Sequence, residues 1–146
     1  MPDDADHSFD LFNSETVGPL RPGLPATLVV RELGPPTSKS TPTYEAATGD
    51  YTSAWKWPHA ALMLSADKPA GPFTARSVSI TGPATWETRK HIHIGSTRAD
   101  VEKAYTRSAD DDGKPDSFLA GSMYGGLLFT FEHDVVASIS LGAFAF

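Results

Sequence analysis

His91 and His93 stand two positions apart in HIHI, so if that stretch is extended both imidazoles leave one face of a strand and Ile92 and Ile94 leave the other. Two imidazoles on one face are the start of a metal site and of a small metal-assisted hydrolase. Such a centre needs a third protein ligand, and no adjacent residue supplies one; His59 and His133 are distant along the chain. The expectation is that the histidines face solvent and their isoleucines the core, with no metal. A second grouping is DDDGKPD, residues 110–116, which gathers Asp110, Asp111, Asp112 and Asp116 around Gly113. Carboxylates ahead of a glycine turn suit calcium. With Gly113 at the sixth position of a calcium loop, however, Leu119 falls where the bidentate glutamate belongs, so the expectation is a solvated acidic loop. Ser122 in GSMYGG is flanked at two residues' distance by Ala120 and Tyr124, where a nucleophile elbow requires glycines. Gly125 and Gly126 lead into LLFTFE, which reads as strand, so no helix N-terminus follows to hold a phosphate. No catalytic residue and no cofactor are expected.

Composition narrows the classes further. A chain of 146 residues fits one domain and can bury roughly two-thirds of the surface it exposes when unfolded, enough for a core without disulfides or metal. The absence of cysteine removes zinc ribbons, iron–sulfur centres and thiol catalysis. With 12 Lys plus Arg against 18 Asp plus Glu, the net charge of -6 argues against nucleic acid, whose binding is dominated by phosphate attraction to a basic surface. The acid is local: Asp3, Asp4, Asp6, Asp10 and Glu15 sit near the start against Arg21, and the second concentration is the 110–116 loop. No window is long and apolar enough to span a membrane, and the first 25 residues lack a basic start followed by an apolar run. That reading places the chain as written in the cytoplasm, or in the periplasm if a leader has been removed.

These residues must be positioned by the surrounding elements. Residues 1–26, rich in acid, Pro and Gly, read as an extended arm in which Phe9, Leu11 and Phe12 form the one apolar cluster; residues 27–146 read as a single domain. TLVVREL (27–33) is enriched in β-branched residues and is expected as a first strand. In YTSAWKW, Tyr51, Ser53, Trp55 and Trp57 share one face of a period-2 pattern, which makes either a core face or an exposed aromatic platform. Pro58 interrupts, and AALMLS resumes as strand. FTARSVSIT alternates with a one-residue slip near Arg76 that predicts a bulge. TWETRK reads as a polar connector. Thr97 with Asp100 forms a helix-capping pattern, and Val101, Ala104 and Tyr105 share one helical face. SFLAGSMYGGLLFTFE and DVVASISLGAFAF then read as two apolar strands joined around Glu132, His133 and Asp134, with the chain end at Phe146 inside the sheet. The fold class expected is α+β: a curved antiparallel sheet with one main helix, about 97–107, packed on one face.

HIGSTRADVEKAY followed by YGGLLFTFEHDVVASISLG resembles a bacterial pattern: a short apolar strand, Gly-Ser/Thr, a capped helix ending near Tyr, a polar loop and two closing strands. Over residues 92–141 it is similar to small domains of the SmpA/OmlA and β-lactamase-inhibitor-like class, which includes some toxin-immunity proteins. The sequence departs from that pattern in Thr106, where the class has Gly after the tyrosine, and in having no lipoprotein cysteine. The resemblance implies an α+β fold that holds other proteins and carries no shared catalytic residues. The function expected is a non-enzymatic protein-binding domain, an immunity-type inhibitor of a bacterial toxin or effector enzyme. Its localised acid would steer a basic partner, with Asp110, Asp111, Asp112 and Asp116 as contacts and Trp55, Trp57 and Tyr124 as anchors. The alternatives are a structural or assembly domain of the cell envelope and the His91/His93 hydrolase.

Overall fold

The computed structural model of the chain describes residues 14–123 and 125–142, in which eight strands form one open, curved antiparallel sheet backed by two helices. In chain order the elements are α1 (Ala26–Leu33), β1 (Ser38–Lys39), β2 (Thr43–Glu45), β3 (Asp50–Trp57), β4 (Ala60–Ala66) and β5 (Thr74–Ile80). They continue with α2 (Arg98–Ala104), β6 (Ser117–Ser122), β7 (Gly125–Glu132) and β8 (Val135–Gly142). The sheet runs β1-β3-β4-β5-β8-β7-β6, with β2 also on the outer edge of β3. One face carries the core. Trp55, Leu62, Val78, Ile139, Phe129 and Phe118 point from the strands toward Val29 of α1 and Val101 of α2, both fully buried. The opposite face shows small and hydroxylated side chains, among them Ser79 and Ser140, whose Oγ atoms lie 2.9 Å apart.

The chain is built from two copies of one unit, a helix followed by a three-stranded meander. Gly23 N–H bonds Ala75 C=O at 2.7 Å, and Gly95 N–H bonds Val136 C=O at 2.9 Å. Ala75 N–H returns to Leu24 C=O and Val136 N–H to Ser96 C=O, both at 2.8 Å. Pro25 bridges Thr74 as Thr97 bridges Val135. Both units kink at the same place, since the β4–β5 register shifts between Met63 and Leu64 and the β7–β8 register between Thr130 and Phe131. These leave Arg76 and Ala137 as the extra residues of two equivalent bulges. The units meet where β5 pairs with β8, Ser79 opposite Ser140, with Val78 opposite Leu141 and Ile80 opposite Ile139. Equivalent residues exchange partners across that line, so a pseudo-two-fold axis passes between the two serines.

Several expectations hold. The aromatic face of β3 is there, the interruption at Pro58 separates β3 from β4, and the slip near Arg76 is a bulge. Thr97 caps α2 by accepting from Asp100 N–H at 3.1 Å. Others are corrected. TLVVREL is not a strand but most of α1. Ala26, Val29, Val30 and Leu33 recur at helical spacing and pack on the core, and Gly34 N–H closes the last turn on Val30 C=O at 2.7 Å. That stripe outweighs the weak strand preference of two adjacent valines. The described residues thus hold a second helix, α1, beside the one main helix expected. SFLAGSMYGGLLFTFE is not one strand but the hairpin β6–β7. The β7–β8 turn carries His133 and Asp134 at φ 54° and 63°, a left-handed pair that His and Asp tolerate better than most side chains.

The arm expected to run to residue 26 joins the core well before that position. Val17 and Leu20 are fully buried, Leu24 nearly so, and Gly18 N–H bonds Glu87 C=O at 3.0 Å. Val17, Leu20 and Leu24 are too widely spaced to form an apolar run, so composition registered only the Pro, Gly and acid between them. Phe9, Leu11, Phe12 and the chain end at Phe146 lie outside the described residues.

Candidate functional site

The segment leaving α2 passes over the edge of β6 and onto the outer face of β6–β8, where it walls an open groove of about 700 Å³. Asp110, Asp112, Asp116 and Glu132 rim the groove, Lys114 is the one base among the described residues that line it, and Leu119, Leu128, Thr130 and Ala137 floor it. A contiguous recess of about 470 Å³ shares Lys114 and Asp116 and adds Arg98, His133 and Asp134. Arg98 ties the two regions by bonding Asp134 Oδ1 at 3.0 Å and Pro115 C=O, while its guanidinium lies 4.2 Å from the centre of the Phe131 ring.

The four loop aspartates do not share one role. Asp111 is an internal organiser, its side chain only 3% exposed. Its oxygens accept from Gly113 N–H at 2.6 Å, Leu119 N–H at 2.7 Å and Arg107 Nη1 at 2.9 Å. Burial pushes its carboxyl up; the N–H donors of Leu119 and Gly113 and the Arg107 charge outweigh that and hold it below the usual carboxylate value. The solvated loop and the partner contact expected of Asp111 are therefore corrected: clustered acids signal charge, but only the tertiary fold brings the β6 N–H to one of them. Asp110, Asp112 and Asp116 remain exposed. Asp110 accepts from Met123 N–H at 3.1 Å and Asp112 from Lys114 N–H at 3.0 Å.

Because the folded carboxyl of Asp111 is depressed, the stability it adds is present above the unfolded value of about 3.9 and is lost as pH falls through the lower folded value. Asp111→Ala should cost about 2 kcal/mol at neutral pH, since a charge-assisted acceptor of backbone donors is removed. Urea unfolding of both proteins should show that difference shrinking below about pH 4. A variant as stable as the parent at neutral pH would contradict the organising role.

Trp55 and Trp57 are core residues, 7% and 9% exposed, and are corrected as anchors. Trp55 Nε1 donates to Ser53 Oγ at 2.9 Å and Trp57 Nε1 to Gly34 C=O at 3.0 Å, so both indoles are satisfied inside. Tyr124 lies outside the described residues. HIHI is loop, not strand. His91 has φ 68° and an exposed ring whose Nδ1 lies 3.3 Å from Glu87 Oε1, whereas His93 Nδ1 contacts Ile94 C=O at 2.8 Å. The two rings do not share a strand face, although Ile92 is buried as expected. Among the described residues no three His, Asp or Glu side chains gather as metal ligands.

One polar cluster escaped the sequence reading. Glu15, 3% exposed, accepts from Arg89 N–H at 2.6 Å and from the Tyr105 hydroxyl at 3.1 Å; Tyr105 in turn lies 2.8 Å from Thr88 Oγ1. Burial pushes the Tyr105 phenol up, the Thr88 hydrogen bond opposes this, and the Glu15 carboxylate raises it again. The cluster is enclosed and joins the start of the described chain to the 88–92 segment and the end of α2. A signal existed: Glu15-Thr16 and Glu87-Thr88, Gly23 and Gly95, and Val29 and Val101 recur at one constant spacing, the trace of the duplicated unit.

No protein-family model, curated protein or solved structure matches the chain.

Proposed function

We propose that this chain is a non-enzymatic protein-binding domain, and within that class an immunity-type inhibitor that sets its acidic groove against a basic cleft of a bacterial toxin or effector enzyme. The observation that supports the reading is the rim of Asp110, Asp112, Asp116 and Glu132 beside an apolar floor of Leu119 and Leu128, on the sheet face opposite α1 and α2. Asp110 and Asp112 are oriented by backbone N–H donors, so their charge is presented with little ordering left for the moment of binding. Clustered charge of one sign raises encounter rates with the opposite sign and makes them fall with salt.

The test is the association rate with the toxin or effector encoded beside this chain's gene. Asp110→Asn, Asp112→Asn and Asp116→Asn together should slow association by about tenfold at low ionic strength and flatten its salt dependence. Dissociation should change less. An unchanged association rate in the folded triple variant would reject the groove as the contact.

A further inference from the structure

Among the described strands β6 pairs with β7 alone, and its other side is an edge of the sheet. The groups facing outward there belong to alternate residues, Ser117, Leu119 and Gly121. Two of the outward N–H groups at this edge are covered by carboxylates. Leu119 N–H donates to Asp111 Oδ2 at 2.7 Å, and Met123 N–H, just past the strand, donates to Asp110 Oδ2 at 3.1 Å. The main chain contributes Ser108 N–H to Leu119 C=O at 2.7 Å and a single bridge between Arg107 and Ala120.

The first unit shows what this edge accepts. Its equivalent of β6 is β3, and its counterpart of the Ser108 bond is Thr37 N–H to Lys56 C=O, also at 2.7 Å. Beyond that bond β3 is covered by strand: Ser38 and Lys39 of β1 pair with Lys56 and Trp55, and Thr43–Glu45 of β2 with Asp50–Thr52. Where β3 has a strand, β6 has the Asp111 side chain beside Ser108, and Asp110 caps the turn that follows. The chain also shows how one unit joins its own equivalent, since β5 and β8 meet edge to edge in antiparallel register about Ser79 and Ser140.

We propose that Asp110 and Asp111 take the place of a strand on β6 and thereby keep that edge from pairing with the β6 edge of a second copy of this chain. The register such a pair would take is self-complementary. Leu119 would face Leu119 and Ser117 would face Gly121, with the Leu119 N–H of each copy meeting the other's Leu119 C=O in place of Ser108 N–H. An uncovered edge is a template for another strand, and charge together with occupied donors is how an edge is closed.

The experiment compares the full chain with Asp110→Ala/Asp111→Ala and with Asp112→Ala/Asp116→Ala, by sedimentation over a range of concentrations. The two double variants lose equal charge, but only the first uncovers Leu119 N–H of β6 and Met123 N–H just past it. The first should dimerise with an affinity at least tenfold above that of the parent, and the second should behave as the parent does. Adding Ser117→Pro to the first removes an outward donor and should reverse the association. A folded first variant that stays monomeric overturns the proposal, as do equal association of both double variants and a dimer that Ser117→Pro leaves intact. If far-UV circular dichroism finds the first variant unfolded, Asp111→Ala alone is read by the same criteria, because it uncovers Leu119 N–H, the donor at the centre of the proposed register.

Discussion

Replacing Glu15 by Ala should destabilise the protein by about 3 kcal/mol, a large share of the margin by which a domain of this size is folded. The carboxylate is the acceptor for the part-buried Arg89 N–H and the buried Tyr105 hydroxyl. Its removal takes the side-chain acceptor from Arg89 N–H and leaves the Tyr105 hydroxyl with Thr88 Oγ1 alone, and an orphaned donor costs more than an average hydrogen bond contributes. Glu15→Gln keeps one carbonyl oxygen but turns an N–H₂ group toward donors, so its cost should be smaller, about 1–2 kcal/mol. The loss should appear as a lower urea midpoint with little change in slope. Amide exchange should rise first at Val17–Leu20 and at Thr88–Ile92, which the carboxylate joins. An alanine variant as stable as the parent would mean that water or another group satisfies Tyr105 and Arg89.

Gly126→Ala should be as damaging for the opposite reason, too much atom where there is no room. Gly126 lies in β7 between Gly121 of β6 and Gly142 of β8. A Cβ there would stand 2.2 Å from Ala120 C=O oxygen and 2.7 Å from Ser122 C=O oxygen, both backbone, so no side-chain rotation relieves the contact. β6 would have to move away from β7, breaking ladder bonds beside the buried Phe118 and Phe129. Overpacking of this kind costs about 3 kcal/mol. Thermal unfolding of the variant measures it, and a loss below about 1 kcal/mol would show that the strands do not approach so closely. Gly126 thus has a packing reason.

These two sites mark where reading by residue pattern stops. Local periodicity determined the α+β class, the face that Tyr51, Ser53, Trp55 and Trp57 share, the break at Pro58, the bulge at Arg76 and the cap at Thr97, while only the fold made that aromatic face core. Each depends on neighbours within a few positions, where spacing and backbone geometry are directly coupled. The charge of the 110–116 segment was equally plain, because composition needs no fold.

What only the tertiary structure decided depends on contacts between distant residues. α1 is helical because Ala26, Val29, Val30 and Leu33 have a core to face, whereas two valines in isolation read as strand. Asp111 differs from its neighbours Asp110 and Asp112 because Leu119 N–H reaches it alone. Glu15 is buried because Tyr105 and Arg89, far along the chain, meet it from the second unit. A side chain's charge is written in its formula, but the free energy of holding that charge out of water is set by the donors around it, and those are assembled only when two equivalent units close into one sheet.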